Sequence, residues 1–215
     1  ILVKINTNLA NKNINTEEYN VMECIQKNIE DIQSRFLLIV AKESLSPALI
    51  RYVLEKNRKE YKFLKGSQLE GDIQNQSYSV DILNKIQIAM EKKEVLMLQS
   101  FDYIYPSLYD LFNQNYTEIG GKKNARIALG TSNNSSSFVN DNFRCIILLD
   151  SEEIKNQDPP FLNRFEKHIL SFDYLIDKKY SKLLEDVISY IYNIFELKDI
   201  SITMILEQNA MMLNI

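Results

Sequence analysis

Histidine and cysteine are nearly missing from this chain of 215 residues, with one His, His168, and two Cys, Cys24 and Cys145. Zinc sites need several N or S ligands at close spacing. No Cys-x-x-Cys occurs, so no metal centre is expected on these residues. The two thiols lie far apart and read as buried free thiols of a reducing compartment rather than a disulfide. Glycine is scarce as well, at five residues. That limits glycine-rich turns, the usual device by which a backbone wraps a phosphate. No charge sign prevails: 25 Lys and Arg against 29 Asp and Glu leave a net −4. This argues against nucleic-acid binding as the main function. Apolar runs are short. The longest, residues 36–41 and 145–149, are strand-length, far from the ~20 residues of a membrane span. No signal peptide is visible, so the cytoplasm is the default location. Sequons at Asn115, Asn133 and Asn134 carry no weight in a chain this rich in Asn. The chain starts on Ile1 and stops on Ile215, and is expected to be a piece of something longer.

Hydrophobic residues make up 45% of the chain and charged ones 25%, enough for a packed core. Val21, Met22, Ile25, Ile29 and Ile32 recur at helical spacing. Residues 36–41 (FLLIVA) form an apolar run without alternation, as suits a strand covered on both faces. Ser46 and Pro47 read as the N-cap and first residue of a helix carrying Leu49, Ile50, Val53 and Leu54. Residues 61–64 are a second strand candidate. Ser79 is expected to cap a helix lined by Ile82, Leu83, Ile86, Ala89 and Met90. Residues 95–98 and 145–149 supply two more buried strands. Between them, Pro106 opens a helix with Leu108, Leu111, Phe112 and Tyr116 on one side. Gly120 and Gly121 then turn the chain into a long hairpin over 123–143, its tip at 131–137. Residues 155–160 read as a loop, and a long helix is expected from Ile176 to Phe195. Strands alternating with helices imply an α/β fold with a doubly wound parallel sheet. The strandless helices after residue 173 suggest a C-terminal helical lid.

The chemistry of such a fold is usually sought in a phosphate loop, GxxxxGK[ST]. It is missing. The turn after the first strand reads Lys42-Glu43-Ser44-Leu45-Ser46-Pro47, without a glycine and with an acid that repels phosphate. Gly120-Gly121-Lys122-Lys123 lacks the remaining spacing and reads as a hairpin turn with a solvated basic face. A metal-holding strand ends in acids. The 95–98 strand is followed by neutral Gln99-Ser100, whereas the 146–149 strand is followed by Asp150 and Glu152. One alternative is therefore a self-standing nucleotide hydrolase using Lys122, Lys123 and Asp150. His168 reads as a surface or packing residue, and no Gly-x-Ser-x-Gly elbow exists. The sharpest segment is residues 158–167 (DPPFLNRFEK). It sets Arg164 in a proline-preceded helical turn that Phe161, Leu162 and Phe165 can bury around. Two readings stay open for Arg164: an ion pair with Glu166 or Asp158, or an arginine finger for a neighbouring nucleotide site, worth about 10³–10⁵ in rate.

Longer strings carry a resemblance. Residues 34–39 (SRFLLI), 95–116 (VLMLQSFDYIYPSLYDLFNQNY), 119–123 (IGGKK), 128–131 (ALGT), 141–146 (DNFRCI) and 160–168 (PFLNRFEKH) resemble the mysterin family of giant RING-finger AAA+ E3 ubiquitin ligases. The resemblance covers residues 34 to 172. It implies a P-loop NTPase-like (AAA+) fold with a β-hairpin insert and the start of a helical lid. The resulting division is 1–33 as a linker with a preceding helix, 34–172 as the α/β core without Walker A, and 173–215 as lid. In this alignment residues 95–99 stand at the Walker B strand, and the 145–149 strand takes the sensor-1 position, which removes Asp150 from metal ligation. Arg164 falls in the arginine-finger box. The resemblance thus implies a degenerate module that scaffolds a ring of AAA+ modules in the same chain and completes the preceding module's ATP site. No cofactor is expected in this segment. ATP and Mg belong to neighbouring modules and zinc to the RING, and the ubiquitin-conjugating enzyme and ubiquitin would meet regions outside these residues. A pure interaction module, with Arg164 merely paired, is the remaining alternative.

Overall fold

Three apolar runs become the three inner strands of one parallel sheet. They are β1 (Leu37–Ala41), β3 (Val95–Gln99) and β7 (Arg144–Asp150), and every residue of the first two is buried. The computed structural model describes residues 20–42, 45–129 and 133–170, together with Ser189. The helix expected over 176–195 and the lid over 173–215 otherwise lie outside the described residues. Strand β2 (Tyr61–Lys65) and strand β8 (Glu166–Ile169) close the two edges. The order is β2-β3-β7-β1-β8, and all four pairings are parallel.

Helices cover both faces, as alternating strands and helices require. One face is packed by helix α1 (Val21–Glu30) and helix α2 (Leu45–Lys56). Ile25, Ile29, Ile50 and Leu54 meet Leu37, Ile39, Met97, Ile146 and Leu148 there. Asn20 caps α1, its side chain accepting the Met22 N–H at 3.0 Å. The other face carries helix α4 (Gln76–Met90), which follows the short helix α3 (Glu70–Ile73). Leu83, Ile86 and Met90 pack on Leu38, Leu96, Leu98 and Ile147. Each such side chain contributes about 1.5–3 kcal/mol on burial.

Between β3 and β7 lie a 3-10 turn (Tyr105–Leu108), helix α5 (Tyr109–Phe112) and an antiparallel sheet. That sheet comprises β4 (Thr117–Ile119), β5 (Lys122–Leu129) and β6 (Asn133–Phe138). The expected hairpin insert is thus present and has three strands, but residues 133–137, expected at its tip, lie in β6. Gly120 and Gly121 make the β4–β5 turn with φ of 59° and 74°, backbone values that favour glycine. A second 3-10 turn (Glu153–Asn156) and helix α6 (Pro159–Leu162) lead into β8.

Several local readings shift. Helix α2 starts at Leu45, one residue before the expected Ser46 cap, so Pro47 sits third in the first turn, where no N–H bond is lost. Helix α4 starts at Gln76, capped by Asn75 accepting the Ser77 N–H at 2.9 Å, which displaces the Ser79 cap. Ile32 lies beyond α1 and is exposed. Tyr116 lies beyond α5, because Gln114 adopts φ 54° and ends the helix. Residues 153–156 and 159–162 are helical turns where a loop was expected. Strand β8 was not foreseen. Its four polar and apolar residues sit at an edge, so no continuous apolar run announces them.

Candidate functional site

Open parallel sheets bind ligands beyond the carboxyl ends of their strands. Here β1 ends at Ala41 and α2 begins at Leu45, leaving residues 42–44 as the whole connection. Three residues without glycine are too few to wrap a phosphate. Next to it, β3 ends on Gln99, buried on the α2 face with Val95 and Met97. A neutral amide thus stands where a carboxylate would neutralise a metal. Ser100 turns the chain with φ 60°, and the Gly66 N–H donates to the Gln99 carbonyl at 2.8 Å. A Cβ on Gly66 would lie 1.9 Å from the Ser100 oxygen, so the turn is locked by backbone contact. On β7, the Asp150 Oδ1 accepts the Glu152 N–H at 2.7 Å, holding the following turn. Gln157 donates to Asp102 at 2.7 Å, tying the loops after β3 and β7.

The candidates Lys122, Lys123 and Asp150 do not converge. Lys123 pairs with Asp141 at 3.2 Å and lies over the Tyr116 ring at 4.9 Å, while Lys122 lies over Phe138 at 5.5 Å. Asp141 precedes β7 and Asp150 ends it. Seven residues of strand separate the two by roughly 20 Å. The self-standing hydrolase built on these three residues is thereby corrected: the two lysines border a cleft of about 500 Å³ at the opposite end of the sheet.

Arg164 occupies a corner of its own. Phe161 and Phe165 are buried, their rings 5.1 Å apart. Phe161 stacks on Tyr105 at 5.1 Å, and Phe165 packs on Phe112 at 5.0 Å. From this cluster the half-buried Arg164 side chain emerges. Its guanidinium carbon lies 3.9 Å from the Tyr109 ring centroid, and Nη1 donates to the Pro160 carbonyl. Its Nε is buried and has no hydrogen-bond partner among the described residues. Neither Glu166 nor Asp158 pairs with it among the described residues. Glu166 is engaged by Asn28 at 2.7 Å and His168 at 2.8 Å. Arg164 precedes β8 at the end where Leu37 starts β1, whereas the short turn follows Ala41 at the other end. The four steps from Leu37 to Ala41 along β1 hold them at least roughly 13 Å apart, beyond reach of the side chain.

Sequence reasoning missed a second arginine. Arg144, 3% exposed at the start of β7, donates to the Ser34 carbonyl at 2.7 Å, to Asn28 Oδ1 at 2.6 Å and to the Arg35 carbonyl at 2.8 Å. Its guanidinium also lies 5.2 Å from the Phe36 ring. Burial lowers its pKa while the fork of donors keeps it paired. The only signal was a charge heading a continuous apolar strand. His168 is a packing residue on β8, its Nε2 bonded to Glu166. The described residues hold no group of three or more His, Cys, Asp or Glu placed to bind a metal. None of their helices is long and apolar enough to cross a membrane.

A parallel sheet in the order β2-β3-β7-β1-β8, a three-stranded insert before β7 and an arginine after α6 set the terms for comparison. The family model described as RNF213 AAA domain matches residues 26–176. The chain belongs to the RNF213 AAA domain family. Its fold is the AAA+ P-loop NTPase-like α/β fold. Human E3 ubiquitin-protein ligase RNF213 is 26% identical over 196 residues, covering 85% of this chain and 4% of that protein. The mouse protein of the same name is 24% identical over 194 residues, with the same coverage. Zebrafish E3 ubiquitin-protein ligase rnf213-beta is 27% identical over 161 residues, covering 72% of this chain and 3% of its own length. The chain thus spans only a few per cent of these relatives. Among solved structures, a P216G mutant of Thermotoga maritima RuvB matches with a TM-score of 0.46 and 14% identity, over 83% of this chain and 50% of that one.

Proposed function

We propose that this RNF213-type AAA+ module works inside a longer E3 ubiquitin ligase as a nucleotide-free scaffold of the AAA+ ring, and that Arg164 serves the ATP site of the preceding module. The observation that carries the first half is the connection from Ala41 to Leu45, three residues long and beside a buried Gln99. Such a module neither cradles a phosphate nor charges a metal site. The second half is supported by the corner around Arg164. Its side chain is packed on one side, unpaired with any acid among the described residues, and too far from its own degenerate turn to act there. ATP and Mg then belong to neighbouring modules, and ubiquitin transfer to zinc-bearing regions elsewhere in the whole protein. A cytoplasmic place is the natural setting for such a ligase.

The test of the scaffold reading is a thermal shift of this chain with Mg-ATP. A ligand at a hundred times its Kd stabilises by about 2.7 kcal/mol, or roughly 5–10 °C for a domain of this size. No shift at several-millimolar Mg-ATP is expected, and a shift of that size refutes the reading. For the arginine, Arg164→Ala in the whole protein should lower the ATPase rate without lowering the melting temperature. A second reading, a pure interaction module with a structural arginine, predicts an unchanged rate.

A further inference from the structure

We infer that Tyr109 is the positioning residue for Arg164: its ring face fixes the guanidinium of the trans-acting arginine. The inference rests on the reading of Arg164 just given. The guanidinium carbon stands 3.9 Å from the ring centroid, the shortest such approach among the described residues. Arg51, Lys122, Lys123 and Arg144 stand 4.9–5.7 Å from their rings. This pose leaves Nε buried without a hydrogen-bond partner among the described residues. A half-exposed arginine could rotate and give that N–H to water. Among the described residues, two contacts hold the guanidinium. One is the Pro160 carbonyl, a backbone group four residues back on the same turn, and the other is the Tyr109 face.

Tyr109 is itself fixed. It heads helix α5 and packs against Phe161 at 6.4 Å, and Phe161 is on the turn that carries Arg164. The insert adds a brace from the other side, since Asp110, next along α5, accepts from Arg126 of β5 at 2.8 Å. The guanidinium is planar by itself, and stacking on the ring fixes the direction of that plane. Ordering that plane before the γ-phosphate develops charge is the use of a preorganised donor. Tyr109 touches neither substrate nor nucleotide in this scheme and acts only through Arg164.

The experiment compares ATPase kinetics of the whole protein carrying Arg164→Ala, Tyr109→Met, Tyr109→Leu, Tyr109→Phe and the double variant Tyr109→Met with Arg164→Ala. Both non-aromatic variants should lower kcat by roughly five- to thirty-fold, the range set by one desolvated cation–π contact. KM for ATP should stay unchanged, and Tyr109→Phe, which keeps the ring face, should recover most of the rate. The double variant should be no slower than Arg164→Ala alone. Two non-aromatic variants of different shape guard against a folding defect in either one. If Arg164→Ala slows turnover while Tyr109→Met and Tyr109→Leu do not, the inference fails and the arginine reading stands. The inference fails in the same way if the losses in the double variant multiply. If Arg164→Ala itself leaves the rate unchanged, the arginine reading fails and the inference falls with it.

Discussion

Replacing Arg144 by Met offers a sharp energetic test of how this fold is assembled. The side chain is buried and makes three charge-assisted hydrogen bonds of 2.6–2.8 Å. Not all three acceptors are stranded by its loss. The Ser34 carbonyl keeps Gln114 Nε2 at 3.0 Å, and the Arg35 carbonyl keeps Asn28 Nδ2 at 3.0 Å. Only Asn28 Oδ1 is orphaned, at about 1–3 kcal/mol. Losing the cation–π contact with Phe36 adds about 0.5–2 kcal/mol. Relief of the buried charge's desolvation offsets part of this. The expected net loss is about 2–4 kcal/mol, or a fall in Tm of roughly 5–15 °C. Urea unfolding of the chain, followed by circular dichroism, reads the loss directly. A single-variant effect below about 0.5 kcal/mol would show that this network does not tie α1 and the 31–36 connection to the sheet.

Two further outcomes are expected. Gly66→Ala should destabilise by about 2 kcal/mol or more, because its Cβ would meet the Ser100 carbonyl at 1.9 Å and backbone cannot yield as a flexible side chain does. A neutral result in a urea melt would mean that the 66 and 100 turns are not locked together. The third concerns alkaline pH. Burial pushes the Cys145 thiol up from 9.0 to about 12 and the Tyr116 phenol up from 10.0 to about 12. The unfolded chain then releases these protons first, so stability is level below pH 9 and falls between pH 9 and 12, by up to about 1.4 kcal/mol per pH unit for each group. Cys145→Val should flatten the limb between pH 9 and 10. Denaturant midpoints across that range check it, and an unchanged limb would refute burial of the thiol as its cause.

The alternation of strands and helices, and with it the doubly wound α/β class, was legible because buried parallel strands read as unbroken apolar runs. Residues 37–41, 95–98 and 145–149 carry that signal in one dimension. The lack of a phosphate loop was equally legible, since glycine or its absence is a property of the string. So was Arg164 as the sharpest polar candidate, from the prolines and phenylalanines around it. Strand β8 was not legible, because an edge strand of four mixed residues gains its place from pairing with β1 rather than from its own pattern. Nor were the helix starts at Gln76 and Leu45, where Asn75 and the short β1–α2 connection compete with other capping residues nearby.

What the sequence alone determined is the inventory: which strands are apolar throughout, which turn lacks glycine, and which arginine stands in a rigid turn. Which side chains meet was decided only by the tertiary structure. Lys122 and Lys123 were separated from Asp150 by the length of β7, a fact no motif spacing contains. Arg144 met Asn28 because two segments 116 residues apart come together at the start of β7. Arg164 met Tyr109 rather than Glu166, because β8 turns Glu166 toward Asn28 and His168 while α5 brings a ring over the guanidinium. Local sequence sets torsional preference and hydrophobic period, whereas long-range pairing is set by the closing of the sheet.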